Sequence, residues 1–165
     1  MESESEKGVK MYKKILVPLD GSEFGECSLE HVRALASADS ASKIVLFRVV
    51  EPLSMYDVSR LAAAGKDALY KGEMDNQGEA RKYVGKIKKD LAKGGLKSET
   101  VVADGDAADE ILAYAQNNGV DLIVMTTHGR SGASRWFFGS VAEKVLKHSP
   151  IPILLIAPSG CRVAA

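Results

Sequence analysis

The chain has 165 residues, 45% of them hydrophobic and 27% charged, which is ordinary for a soluble globular protein and enough for one domain with a substantial core. Its 22 basic and 22 acidic side chains cancel. With neither a basic excess nor a basic stripe, no nucleic-acid partner is expected.

Residues 1–10, MESESEKGVK, are acidic and hold no apolar run. They are expected to form a disordered N-terminal arm rather than a secretory signal. The domain is placed at residues 11–158, with 159–165 as a C-terminal tail. KKILVPL, residues 13–19, is a short β-branched run closed by the turn signal Asp20-Gly21-Ser22, and predicts the first strand. Residues 23–38 place Leu29, Val32, Leu35 and Ala36 at helical spacing. KIVLFRVV, residues 43–50, is apolar at nearly every position, as suits a strand covered on both faces.

Residues 51–78 begin with Pro52, contain three glycines and have weak periodicity, which predicts a loop with some helix and low order in part. Residues 79–94 predict a helix with Tyr83, Val84, Ile87 and Leu91 inward, ended by Gly94-Gly95. LKSETVVAD, residues 96–104, predicts a third strand, and Asp106 is placed to cap the helix that follows. VDLIVMTT (120–127), SVAEKVLKHS (140–149) and IPILLIA (151–157) predict a fourth strand, a helix and a fifth strand. The last apolar run is far shorter than the roughly 20 residues of a membrane helix, so no membrane partner is expected. Cys27 and Cys161 lie far apart with no CxxC, which suggests neither a disulfide framework nor a zinc site. Cys27 is expected to be a small buried hydrophobe, and the expected location is cytoplasmic.

Strands alternating with helices predict an α/β fold, with an open five-stranded parallel sheet and helices on both faces. The common Rossmann-like order 3-2-1-4-5 reverses between strands one and four, and ligands sit outside the carboxyl ends of the strands at that point. Strand one ends there at Asp20-Gly21 and strand four at Thr126-Thr127-His128-Gly129.

The loop that follows strand four contains Gly129, Gly132 and Gly139 with Arg130 and Arg135, and leads directly into a helix. Glycines permit close backbone approach, and a helix N-terminus presents unpaired N–H groups to an anion. There is no G-x-x-x-x-G-K-[ST], and no G-x-G-x-x-G after strand one, so neither a P-loop nor a dinucleotide fingerprint is present. Ser140-x-x-Glu143 also reads as a capping box, which a helix uses with or without a ligand. Composition leaves a phosphate cradle and a plain connecting loop both open.

At these residues the sequence resembles the universal stress protein family. That family's hallmark is G-x-x-G, nine residues, then G-[ST]. Here Gly129, the nine residues Arg130 to Phe138, and Gly139-Ser140 stand in register. YKKILVPLDGSE and VAEKVLKHSPIPILLI continue the likeness, which spans residues 12–157. The resemblance implies the adenine nucleotide alpha hydrolase-like fold and a role in stress response. It also implies a site for ATP, or AMP or ADP, with Mg²⁺ or Mn²⁺ accompanying the phosphates. By this likeness Asp20, after Pro18 and Leu19, would accept the ribose hydroxyls. Val49 would meet adenine through its backbone. Met125 and Thr126 would line the end of strand four, and Gly129, Gly139, Ser140 and Val141 would hold the phosphates. A homodimer paired through strand five is likewise implied. One departure stands out: Thr126 occupies the place of the first hallmark glycine, where its side chain narrows the passage or supplies a hydroxyl.

Asp20 also reads as a plain turn residue, but its place at the switch point favours a binding role. His128 has no serine or cysteine nucleophile with a carboxylate partner evident, and beyond Asp20 no general base or metal-binding carboxylate pair stands near the loop. The chain is therefore not expected to be an enzyme, a slow ATP hydrolase being the weaker alternative. A member of the same family that binds no nucleotide and acts as a dimeric interaction module is the main competitor. Trp136, Phe137 and Phe138 are expected to pack under the loop or at a subunit contact. His31 and His148 are expected to be structural or exposed. A receiver domain would need a lysine after strand five, where Ala157-Pro158-Ser159 stands.

Overall fold

The computed structural model describes residues 12–38, 42–63, 65–127 and 139–157. The expected N-terminal arm and C-terminal tail, Cys161, and His128 to Phe138 with Gly129 among them lie outside the described residues. The elements run β1 (Lys14–Pro18), α1 (Glu23–Glu26), α2 (Ser28–Ala38), β2 (Lys43–Val50), α3 (Met55–Ala63), α4 (Lys66–Lys93), β3 (Ser98–Asp104), α5 (Ala107–Asn117), β4 (Leu122–Thr126), α6 (Ser140–His148) and β5 (Ile153–Ile156). The sheet is parallel in the order β3-β2-β1-β4-β5, as the alternation of elements predicts.

Side chains alternate across the sheet and divide the core into two layers. Ile15, Val17, Ile44, Leu46, Leu122 and Val124 face one way, against Leu29 and Val32 of α2 and Val84, Ile87 and Leu91 of α4. Leu16, Val45, Phe47, Ile123 and Met125 face the other way, against Ala108 and Ile111 of α5 and Ala142 and Val145 of α6. Both layers are closed, which is why β1, β2 and β4 are apolar at consecutive positions. Each fully buried Leu, Ile or Phe contributes about 1.5–3 kcal/mol.

Four expectations need correction. Residues 51–78 are mostly helical: α3 occupies Met55–Ala63, and α4 starts at Lys66, thirteen residues before the predicted Glu79. Ala80 is the first buried residue of α4 whose side chain is described. Among the α4 side chains described before Ala80 none is buried, so no inward apolar stripe marks that stretch. The predicted helix 23–38 is two helices, with Cys27 between them. Cys27 is half-buried and disulfide-bonded, not a small buried thiol. The predicted capping box also fails. Gly139 is the N-cap of α6 with φ −61° and ψ 151°, and Ser140 is the first helical residue.

Helix ends follow their local chemistry. Asp106 caps α5 by accepting from the N–H groups of Ala108 and Asp109 at 3.1 Å each. α4 ends in a Schellman turn, with Leu96 N–H donating to Leu91 O and Gly95 N–H to Ala92 O. Gly95, at φ +76°, adopts the left-handed conformation this turn requires. Among the described residues no helix is long and apolar enough to cross a membrane.

Candidate functional site

The site begins where β1 and β4 part. β1 pairs with β4 only at Ile15↔Leu122 and Leu16↔Ile123, while β4 and β5 stay paired up to Thr126↔Ile156. On its other side β1 makes one last bond to β2, from Leu19 N–H to Phe47 O at 2.8 Å. The chain then turns away at Asp20-Gly21, where Gly21 has φ +82°. These two departures open a cleft of about 800 Å³ at the carboxyl edge of the sheet. That volume lies within the range of small-molecule and cofactor sites.

Pairing parity shows what the β2 backbone presents to this cleft. Phe47 O points toward β1, whereas Val50 O accepts from Gly105 N–H on the β3 side at 3.1 Å. Both polar groups of one strand residue point to the same neighbour, and the direction alternates along the strand. Val49, two residues after Phe47, therefore turns its N–H and C=O toward β1, at a level β1 has already left. Among the described residues a neighbouring donor and acceptor are thus held open on a rigid strand. The same parity holds in β4, where Ile123 and Thr127 donate to Pro152 O and Ile156 O of the β5 side. Thr126 consequently turns its backbone N–H and C=O toward the β1–β4 crevice, and the residue lines the cleft.

Asp20 is held by its own turn. Its Oδ1 accepts from Ser22 N–H at 3.0 Å and from Ser22 Oγ at 2.6 Å. Ser22 Oγ in turn accepts from Gly25 N–H at 3.0 Å, capping α1. Across the cleft, Gly139 N–H donates to Thr127 O at 2.7 Å. That bond sets the first turn of α6 beside the end of β4. Ser140 is exposed and its hydroxyl makes no hydrogen bond among the described residues. A helix N-terminus with an exposed hydroxyl favours an anion there.

Of the residues expected at the site, Pro18, Leu19, Asp20, Val49, Met125, Thr126, Gly139, Ser140 and Val141 all line this one cleft. Gly129 lies outside the described residues. Sequence reasoning missed Arg48, Gly25 and the wall made by α4 with Asn76, Glu79 and Tyr83. Arg48 alternates with the apolar residues of β2 and donates to Leu19 O at 3.2 Å. A charged side chain inside an apolar strand was the available signal. Tyr83, expected as an inward apolar residue, also brings a phenolic hydroxyl to the α4 wall.

Electrostatically the described lining is mixed, with Asp20, Glu51 and Glu79 against Arg48. Burial pushes the Tyr83 phenol well above its ordinary range, and the negative charges of Glu26 and Asp20 push it further. Its hydroxyl is buried and makes no hydrogen bond of good geometry among the described residues. Far from the cleft, the hydrogen bond from Lys43 holds the Glu99 carboxyl below the usual range. Among the described residues no group of three or more His, Cys, Asp or Glu is placed to hold a metal ion.

The fold and cleft define a doubly wound α/β protein with an open cleft at its topological switch point. Residues 11–157 match the model of the universal stress protein family. The chain belongs to that family. Universal stress protein MJ0577 of Methanocaldococcus jannaschii is 34% identical over 155 residues, covering 88% of this chain and 95% of its own. Its solved structure superposes with a TM-score of 0.76, covering 89% of this chain and 96% of that one. Universal stress protein YxiE of Bacillus subtilis is 31% identical over 150 residues, covering 88% of this chain and 99% of its own. A universal stress protein family protein of Arabidopsis thaliana, solved with AMP bound, shares the fold at a TM-score of 0.62 and 17% identity, over 88% of this chain and 91% of that one.

Proposed function

We propose that the protein is a nucleotide-binding regulatory member of the family, holding ATP, or AMP or ADP, in the cleft and changing its partner contacts with occupancy. The observation that carries this reading is the pair of open Val49 backbone groups, set across the same cleft from the α6 N-terminus and flanked by Asp20. A base edge needs a neighbouring donor and acceptor. A ribose needs an acceptor for its hydroxyls, and a phosphate needs N–H groups at a helix start. Three chemically different parts of one ligand thus have suitable partners within one cleft. The AMP carried by the Arabidopsis protein is consistent with this at the level of the fold.

A divalent ion would arrive with the phosphates. The described acids form no resident metal site, so the chain's own part is to hold base, ribose and phosphate. We further propose a homodimer through β5, which lies at the sheet edge with Leu154 36% exposed. Parity turns the amides of Ile153 and Leu155 outward there, and an apolar edge with open amides is a liability that proteins usually cover. A symmetry-related β5 would cover it with a self-complementary interface.

Thr126 favours the second reading, a dimeric interaction module without nucleotide, because its side chain stands at the crevice where the family hallmark has glycine. Mass spectrometry of small molecules released from freshly purified protein separates the two. Co-purified adenine nucleotide at near-stoichiometric yield supports the first reading. Its absence, together with no thermal shift at millimolar ATP or AMP, supports the second.

A further inference from the structure

We propose that Gly25 is a positioning residue of the cleft: lacking a side chain, it lets the Asp20 carboxylate rest against α1 and so fixes its direction toward a bound ribose. This rests on the nucleotide reading above. Gly25 lies in a helix, is buried, and is not among the glycines with positive φ. Backbone freedom therefore gives no reason for glycine here, and glycine is the poorest helix former apart from proline. Close approach does give one. A Cβ at position 25 would stand 2.5 Å from Asp20 Oδ1, 3.6 Å from Asp20 Cγ and 3.4 Å from Ser22 Oγ. Real Cβ atoms do not approach an oxygen to 2.5 Å, so the carboxylate would have to move.

That movement has a specific consequence. Oδ1 is the oxygen gripped by Ser22 N–H and Ser22 Oγ, and Ser22 Oγ is the cap that receives Gly25 N–H. Asp20, Ser22 and Gly25 thus close a small ring of hydrogen bonds in which the missing methyl is the space the carboxylate occupies. Below, Ser28 is fully buried and donates from Oγ to Gly25 O at 2.8 Å. α1 is therefore anchored at residue 25 and cannot readily slide away from an added side chain. A methyl there displaces Oδ1, breaks the grip of Ser22 and rotates the carboxylate plane. An acceptor serving two adjacent ribose hydroxyls loses its aim, while groups across the cleft at Gly139 and Ser140 are untouched.

The test is the ratio of dissociation constants for 2′,3′-dideoxy-ATP and ATP, measured on the full chain by calorimetric competition. The parent is expected to favour the ribose form by about tenfold or more, one to two charge-assisted hydrogen bonds. Gly25→Ala should bring the ratio to within about threefold of unity, matching Asp20→Ala, while affinity for the dideoxy ligand and the far-UV spectrum stay at parent values. A merely structural role would weaken both ligands together. If Gly25→Ala does not fold, Ser22→Ala, which removes the hydroxyl half of the grip on Oδ1 without adding an atom, must lower the ratio in the same direction. A parent-like ratio in a folded Gly25→Ala, or in Ser22→Ala where that variant stands in, overturns the inference. So does a parent that binds both ligands equally, which leaves the nucleotide reading standing. A parent that binds neither ligand removes the nucleotide reading and this inference with it.

Discussion

Replacing the base of the ligand tests the Val49 edge without disturbing the protein. Adenine presents an acceptor beside an amino donor, complementary to an N–H and a C=O on one strand residue. Hypoxanthine presents a donor beside a carbonyl, which sets donor against donor and acceptor against acceptor at Val49. The groups cannot turn away, because β2 is paired to β3 from Ile44↔Ser98 to Val50↔Asp104. A buried polar group left without its partner costs about 1–3 kcal/mol. At the low end, two such groups cost about 2 kcal/mol, or about thirtyfold in the dissociation constant. Competition calorimetry of ATP against ITP at equal free Mg²⁺ reads this directly. ITP binding within about threefold of ATP would show that the Val49 groups do not read the base.

Three further outcomes follow from the same geometry. Leu154→Lys places a charge on the exposed β5 edge and should convert a dimer to a monomer by light scattering; a parent that is monomeric at tens of micromolar, on the order of where a specific interface persists, contradicts the dimer. Tyr83→Phe removes a buried hydroxyl without a well-formed bond, and should leave stability unchanged or raise it by about 1 kcal/mol in urea unfolding; a loss of about 1 kcal/mol or more would mean the hydroxyl is bonded after all. Thr126→Gly widens the β1–β4 crevice and should tighten ATP by about threefold or more, whereas unchanged affinity would show that Thr126 does not obstruct the cleft.

How much of this was legible in the sequence varies by element. β1, β2 and β4 stood out because a strand covered on both faces is apolar at consecutive positions, and KILVP, KIVLFRVV and LIVMT are nearly so. The order of strands followed from alternation, and the order placed Asp20 and Thr126 at the same switch point before any contact was known. α4 was misjudged for the reason opposite to the strands. Asn76 and Glu79 border the cleft rather than the sheet, and Met74, Asp75 and Asn76 are all exposed, so no inward stripe marks this described stretch. The α4 wall of the site was lost with it. Ser140-x-x-Glu143 misled in another way: the motif is present, but Gly139 already adopts the extended N-cap conformation, leaving Ser140 inside the helix, where its hydroxyl makes no cap. Gly25 had no signal in one dimension. Its role depends on the distance to Asp20, five residues away across a turn whose geometry only the folded chain supplies.

The central claim is that the cleft holds an adenine nucleotide with its phosphates at the start of α6. Titration calorimetry of the parent and of Gly139→Val with ATP and Mg²⁺ tests it most directly. Gly139 has φ −61° and ψ 151°, which any residue can adopt, so valine there should leave the fold intact. The parent should show saturable binding, and ligand at a hundredfold excess over its dissociation constant should stabilise the fold by about 2.7 kcal/mol. Gly139→Val should show neither effect while keeping a native far-UV spectrum. No heat and no thermal shift in the parent at millimolar ATP would contradict nucleotide binding, and parent-like affinity in Gly139→Val would contradict phosphates at α6.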